Sequence, residues 1–275
     1  MGSQDQTYCI LDVNVAVNCP VRELQSLVEA HWGQMANGAA QADLTYSVSR
    51  SESTSPIAIA RPGQQTKWTA DEGQFLYELE GDATVELQLI RRDLYFLHSA
   101  VAEVDGKAYL FVAESGSGKS TTLWGLLHHG WRYLSDELAP IDLSTMRVHA
   151  YQRALCLKTL PPQAYPLPAA TIETPRTLHV PVQHLPAVSQ LELCPLVGVY
   201  FVKYSPTASS PSIRAISPGE ASARLYANNL NQLAHANAGL DAAVQVAKSI
   251  PGFVLESADL AATCALVDAH KSNPA

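Results

Sequence analysis

The sequence has no CxxC pair, no long apolar run and no cluster of basic residues, and each absence removes a class of function. Its five cysteines, Cys9, Cys19, Cys156, Cys194 and Cys264, lie far apart, so their spacing indicates neither a zinc site nor a disulfide framework. Reduced, mostly buried thiols are the expectation. Lys and Arg number 18 against 26 Asp and Glu, a formal net charge of −8. Nucleic acids are gripped by clustered cations that this chain does not show, so no nucleic-acid partner is expected. No apolar stretch approaches the roughly 18 residues of a membrane span. The start, MGSQDQTYCILDV, lacks a cationic region and carries Gln6 where a myristoylation signal wants Ser or Thr. No membrane association and a cytoplasmic location are therefore expected.

What is present is enough apolar material for a sizeable core: 47% of 275 residues are hydrophobic, which suits one large domain or one domain with an extension. No internal repeat is visible. Residues 1–92 read as a small N-terminal α/β accessory lobe, serving binding, contact or completion of the core. In it "YCILDVNVAV" reads as a strand, and Pro20 opens a helix whose face carries Val21, Leu24, Leu27, Val28 and His31 or Trp32. "DLTYSVSR", "PIAIARP" and "GQFLYELE" read as further strands.

From residue 93 to 275 the pattern sharpens into a second region. "LYFLHSAVAEV" and "KAYLFVA" are β-rich runs joined by Asp105-Gly106, a pair suited to the positive φ angles of a tight hairpin. The second run leads into "AESGSGKSTT", and "KSTTLWGLLHHG" then reads as a helix with Leu123, Leu126 and Leu127 on one face and a stop at Gly130. "WRYLSDE" is a short strand delivering two acids, and "LAPIDLSTMRVHAYQRALCLK" is more strand with a turn near Ser144-Thr145. Residues 159–190 are rich in proline, which marks a functional loop or a disordered one. Later, "CPLVGVYFVKY" and "GFVLE" read as strands. "PGEASARLYANNLNQLA", "GLDAAVQVAKSI" and "SADLAATCALVDAH" read as helices, the last capped by Ser257.

A strand, a glycine-rich turn and a helix start in this order form a phosphate-binding loop, GxxxxGK[ST], in which backbone N–H groups face phosphates, Lys reaches the β and γ oxygens, and Ser or Thr holds Mg²⁺. Gly118, Lys119 and Ser120 fit it, with Ser115, Gly116, Ser117 and Thr121 completing the cradle. Ala113 stands where the first Gly belongs. A methyl is tolerated there if φ stays negative.

"SGSGKST" also suits transporter-type ATPases, which need a second glycine signature. "ISPGEASARL", from Ile216 to Leu225, faintly resembles one, but Pro218 blocks the backbone and no apolar strand ending in Asp-Glu follows. Asp136 instead follows Lys119 by 17 residues, room for one helix, one turn and one strand back. Phosphoryl transfer needs one carboxylate to hold Mg²⁺ and another to orient or deprotonate the acceptor, and adjacent acids at a strand end can divide these roles. A plain loop cap is the alternative for the same two acids.

Residues 98–137, "HSAVAEVDGKAYLFVAESGSGKSTTLWGLLHHGWRYLSDE", resemble the catalytic core of HPr kinase/phosphorylase and the wider HPr kinase-like group, with its His, hairpin, loop, Gly-ended helix and paired acids. The resemblance implies a P-loop kinase core like that of HPr kinase and phosphoenolpyruvate carboxykinase, using ATP and Mg²⁺. It implies that His98 helps manage the transferring group, that Asp136 is the general base and that Glu137 is the second acid, a metal holder with Ser120. "YQRALCLK" corresponds loosely to a later arginine-bearing signature, which makes Arg153 a phosphate or substrate contact; an exposed, solvated arginine is the alternative. The lobe 1–92 does not look like the regulatory domain of the classical enzymes. Smaller members of the group phosphorylate precursor peptides, including lasso peptides, and others resemble free-serine kinases. A Ser or Thr hydroxyl on a peptide or small protein is the expected acceptor, with a small-molecule kinase and a nucleotide-binding regulator as alternatives. The resemblance to hexameric enzymes also makes a homo-oligomer an expectation.

Overall fold

The computed structural model describes residues 6–52 and 55–271; residues 1–5, part of the stretch read for targeting signals, lie outside them. The chain forms two compact units. The first comprises residues 1–90, 152–159 and 168–184, and the second residues 91–151, 160–167 and 185–275. Two later segments, one at the arginine-bearing stretch and one inside the proline-rich stretch, thus join the N-terminal residues.

The first unit opens with β1 (Gln6–Ile10) and β2 (Val13–Asn18), not with one strand. Leu11 and Asp12 adopt φ of 53° and 63°, the left-handed pair of a two-residue hairpin turn, so the run folds back on itself. Helix α1 (Arg22–Trp32) buries Leu24, Val28, His31 and Trp32, largely the face expected from its spacing. It carries the chain to β3 (Leu44–Ser49), which pairs parallel with β2; β4 (Ile57–Ala60) and β5 (Lys67–Thr69) complete a five-stranded sheet in sequence order.

The stretch expected to be a strand at "GQFLYELE" is the start of helix α2 (Glu72–Ile90). Its buried positions, Phe75, Leu76, Leu79, Ala83 and Leu87, recur at the spacing of a helical face. An eight-residue window cannot separate that spacing from a buried strand. Arg61 holds the helix to the sheet through Asp82 and Glu86 at 2.8 and 2.7 Å, and the Tyr46 hydroxyl donates to Asp82 as well.

In the second unit β6 (Leu94–Val104) and β7 (Lys107–Val112) form the expected hairpin, with Asp105 and Gly106 at φ 53° and 75°. Then come α3 (Lys119–His128), β8 (Arg132–Ser135), β9 (Leu138–Asp142) and β10 (Arg147–His149). The chain next supplies β11 (Leu155–Leu157), β12 (Ile172–Glu173) and β13 (Leu178–Val180) to a small sheet of the first unit, ordered β11-β13-β12. The proline-rich stretch is therefore broken into short paired strands and turns. The second unit resumes with β14 (Leu193–Tyr204), β15 (Ser212–Ile216), α4 (Pro218–Ala227), α5 (Leu240–Ser249), β16 (Gly252–Ser257) and α6 (Leu260–Lys271).

Its main sheet runs β10-β9-β6-β7-β14-β16-β15, with β8 also on β6 and β10 also on β14. Strands β7, β14 and β16 are parallel neighbours, and alternate residues send side chains to opposite faces. Leu110, Val112, Val199 and Phe201 share a core with Ala221 and Leu225 of α4 and Val246 of α5. Tyr109, Phe111 and Tyr200 instead form an aromatic group that reaches Trp131 and, through Tyr200, His270 of α6. Helices thus cover both faces, as a parallel sheet requires.

Two helix starts depend on local capping chemistry. Ser257 ends β16 and does not cap α6; the Asp259 carboxylate accepts from the Ala262 amide at 2.9 Å instead. The "ISPGEASARL" stretch is a capped helix start, where Ser217 accepts from the Glu220 amide and Pro218 occupies the first turn. Among the described residues no helix is long and apolar enough to cross a membrane.

Candidate functional site

The pairing of β6 explains how the sequence-predicted residues meet. Ser99 of β6 lies opposite Val112, the last residue of β7, and Val101 opposite Ser135, the last residue of β8. His98 lies opposite Leu138, where β9 begins, and the Ser99 amide donates to the Glu137 carbonyl at 3.2 Å. The glycine-rich loop therefore leaves β7 alongside the step in β6 where its partner changes from β9 to β8. Asp136 and Glu137 are the two residues that make that change.

The loop turns tightly, with the Ser117 amide donating to the Glu114 carbonyl at 3.1 Å. Gly116 and Gly118 both stand at φ 88°, where a side chain would be strained. A Cβ on Gly118 would also lie 3.4 Å from Tyr204 Cβ and 3.8 Å from Ser257 Oγ. Tyr204 and Ser257 are paired across the ends of β14 and β16, so the loop sits at the carboxyl ends of three parallel strands. Ligands of α/β sheets bind at such ends. Spacing alone did not single out these two residues; their signal was a pair of apolar strands ending in Tyr and Ser. Ala113 is buried and is not among the left-handed residues, which meets the condition for a methyl in place of the first glycine.

Lys119 begins α3, and its side chain runs inward to 7% exposure. The ammonium donates to the Asp136 carbonyl at 2.6 Å and lies 3.6 Å from Glu137 Oε2. His98 Nε2 is 3.3 Å from that ammonium and 3.1 Å from Glu137 Oε1. As a donor to Glu137 this nitrogen must carry the proton; as an acceptor from Lys119 it must not. The two contacts are alternatives that change with the tautomer.

Asp136 is 1% exposed, whereas Glu137 is 41% exposed. Adjacent acids of like chemistry thus occupy unlike surroundings, one inside the step and one at its mouth. Ser115 and Gly116 are exposed, and Ser117, Gly118, Ser120 and Thr121 are half-buried. The first-turn amides of a helix have no intrahelical acceptors and carry the positive end of its dipole. Exposed amides, a buried ammonium and oxygen donors at Ser120 and Glu137 form a set that can take an anion together with a hard divalent cation.

Arg153 is not brought into this group. It belongs to the first unit, is 3% exposed, and lies with Nε 2.8 Å from Glu80 Oε1; its Nη1 donates to the Ala154 carbonyl and to Cys156 Sγ. The alternative of an exposed, solvated arginine is unmet: the guanidinium is desolvated and takes a carboxylate partner.

No family model and no curated protein matches the chain. Among solved structures, the Hpr(Ser) kinase/phosphatase from Coxiella burnetii aligns at a TM-score of 0.36 with 13% identity, covering 65% of this chain and 97% of that one. A likeness of that size carries no weight for function. The chemistry of this chain must be read from the arrangement of residues 98–137.

Proposed function

We propose that the second unit is an ATP- and Mg²⁺-dependent kinase that phosphorylates a Ser or Thr hydroxyl of a peptide or small protein, such as a precursor peptide. The observation that supports this best is the convergence of Lys119, His98, Asp136 and Glu137 beside a loop with two left-handed glycines. The sequence resemblance of residues 98–137 to HPr kinases supports the same reading.

The loop amides from Ser115 to Thr121 would orient the phosphate chain, with Lys119 placing its charge against the β and γ oxygens. Ser120 and Glu137 supply hard oxygen donors that fit Mg²⁺, which when bound neutralises charge on the transferring group. Asp136 takes the proton from the acceptor hydroxyl. His98 holds Glu137 in place through Nε2, and the Lys119 contact with the Asp136 carbonyl fixes the strand end that carries both acids.

The test is to incubate the protein with Mg-ATP and Ser/Thr peptides encoded beside it, with free serine in parallel, and to follow a phosphate increment by mass spectrometry. Phosphate on a peptide hydroxyl supports the reading, and phosphate on free serine alone moves the acceptor class to small molecules. ATP bound without transfer to any acceptor leaves a nucleotide-binding regulator.

A further inference from the structure

Outside the loop, one side-chain cluster stands out: one ring nitrogen of His31, the sulfur of Cys156 and one ring nitrogen of His179 all lie within 4.8 Å of one another. The geometry points to a zinc-type site in the first unit, with these three side chains as ligands and a fourth position left for water or a small exogenous donor.

The backbone sets the cluster up. Cys156 and His179 are directly opposite residues of the antiparallel pair β11 and β13, and Cys156 Sγ is 3.1 Å from His179 Nδ1. His31 ends the buried face of α1, and its carbonyl accepts from the Ala154 amide at 2.8 Å, which brings the helix end to the start of β11. All three ligands lie in the first unit, on three separated stretches of chain. Tetrahedral zinc places its sulfur and nitrogen ligands about 3.5 Å apart, so small rotamer adjustments close the set on an ion.

Surrounding groups hold the rings as ligand shells do. Thr177 Oγ1 lies 2.7 Å from His179 Nε2, which leaves Nδ1 facing the sulfur. Glu80 Oε2 lies 3.2 Å from His31 Nε2. His31 is 3% exposed, and its other ring nitrogen, Nδ1, makes no hydrogen bond, a cost that coordination would remove. Arg153 Nη1 donates to Cys156 Sγ at 2.8 Å, which fixes the position of the sulfur.

A nitrogen and sulfur set selects zinc or another borderline-soft ion over Mg²⁺ or Ca²⁺. On binding, the Cys156 thiol proton passes to solvent and the sulfur–metal bond takes its place. Cysteine spacing could not reveal this site, because a lone Cys and two distant His become neighbours only when β11 and β13 pair.

The full-length protein is stripped with a chelator, titrated with Zn²⁺ against a chromogenic chelator, and separately loaded with Co²⁺ to read the thiolate-to-cobalt charge-transfer band. A single ion per chain and a cobalt–thiolate band are expected. Cys156→Ser should abolish the band and weaken zinc about 100-fold or more. Thr177→Val, which touches no metal, should weaken it about 10-fold or more. Lys119→Ala should bind zinc as the wild type does, since its lysine serves the other site. Absence of the cobalt–thiolate band from the wild type, or zinc affinity unchanged in Cys156→Ser, overturns the site and leaves Cys156 and His179 as a hydrogen-bonded pair. The wild-type spectrum decides the matter even if a variant fails to fold.

Discussion

The two polar clusters are assembled in opposite ways. The Lys119 group draws on one stretch, residues 98–137, in which a hairpin, a helix and a returning strand bring the chain back to where it started. The His31 group draws on a helix end, β11 and β13, which are far apart in sequence. The first mixes hard oxygen donors with a buried ammonium, suited to phosphates and Mg²⁺. The second offers sulfur and imidazole in fixed positions, suited to a softer ion. Local assembly leaves a motif that can be read from spacing, and assembly across β-pairing does not.

If the Lys119 group serves chemistry rather than the fold, its variants should lose transfer while keeping the thermal midpoint. The largest effect is expected for Lys119→Ala, with phosphopeptide formation falling about 10³-fold because a preorganised charge at the transferring group is removed. A comparable drop in melting temperature without loss of transfer would assign Lys119 to the fold. Asp136→Asn should cost roughly 10²-fold or more in transfer, the scale of a lost general base, with Mg-ATP affinity nearly unchanged. Glu137→Gln should instead raise the Mg²⁺ requirement. Loss of Mg-ATP binding in Asp136→Asn and its retention in Glu137→Gln would exchange the two roles, and the greater exposure of Glu137 makes that experiment pointed.

Smaller effects belong to the frame. Gly118→Ala forces a methyl into a left-handed backbone beside Tyr204, at a cost of about 1–2 kcal/mol, read as a lowered melting temperature and weaker nucleotide binding. An unchanged melting curve would show that the loop relaxes freely. The smallest effect concerns Glu103 and pH. Burial pushes its carboxyl up, but hydrogen bonds from Arg132, the Gly106 amide and Ser189 outweigh that and hold it below its ordinary value. A carboxylate lowered on folding contributes stability above its ordinary range and loses it as pH falls through the lowered value. Glu103→Gln should therefore flatten the acid limb of the stability profile and leave the slope above neutral pH unaltered.

How much could be read in advance follows the same division. The β6–β7 hairpin was legible because Asp-Gly has few conformational options, and α3 because its leucines and its Gly130 stop agree. α2 was not, since an eight-residue window in which Phe75, Leu76, Tyr77 and Leu79 stand among Gln and Glu suits a strand equally well and only the longer repeat through Leu87 decides. The turn at Leu11-Asp12 carries no glycine, so nothing local announced its two left-handed residues. The Asp259 cap was hidden behind Ser257, which has the right chemistry two residues too early. The meeting of Lys119 with the Asp136-Glu137 tip was legible from the return distance, whereas the burial of Asp136 and the seating of Gly118 on Tyr204 and Ser257 depend on sheet order, which no local pattern encodes.

The central claim, that the loop of the second unit is a nucleotide site, is tested most directly by titrating Mg-ATP calorimetrically into the wild-type protein and into Lys119→Ala. Saturable binding at one site per chain is predicted for the wild type, with an affinity at least about tenfold weaker in the variant. Equal affinity in the two proteins, or no heat from the wild type, would contradict it.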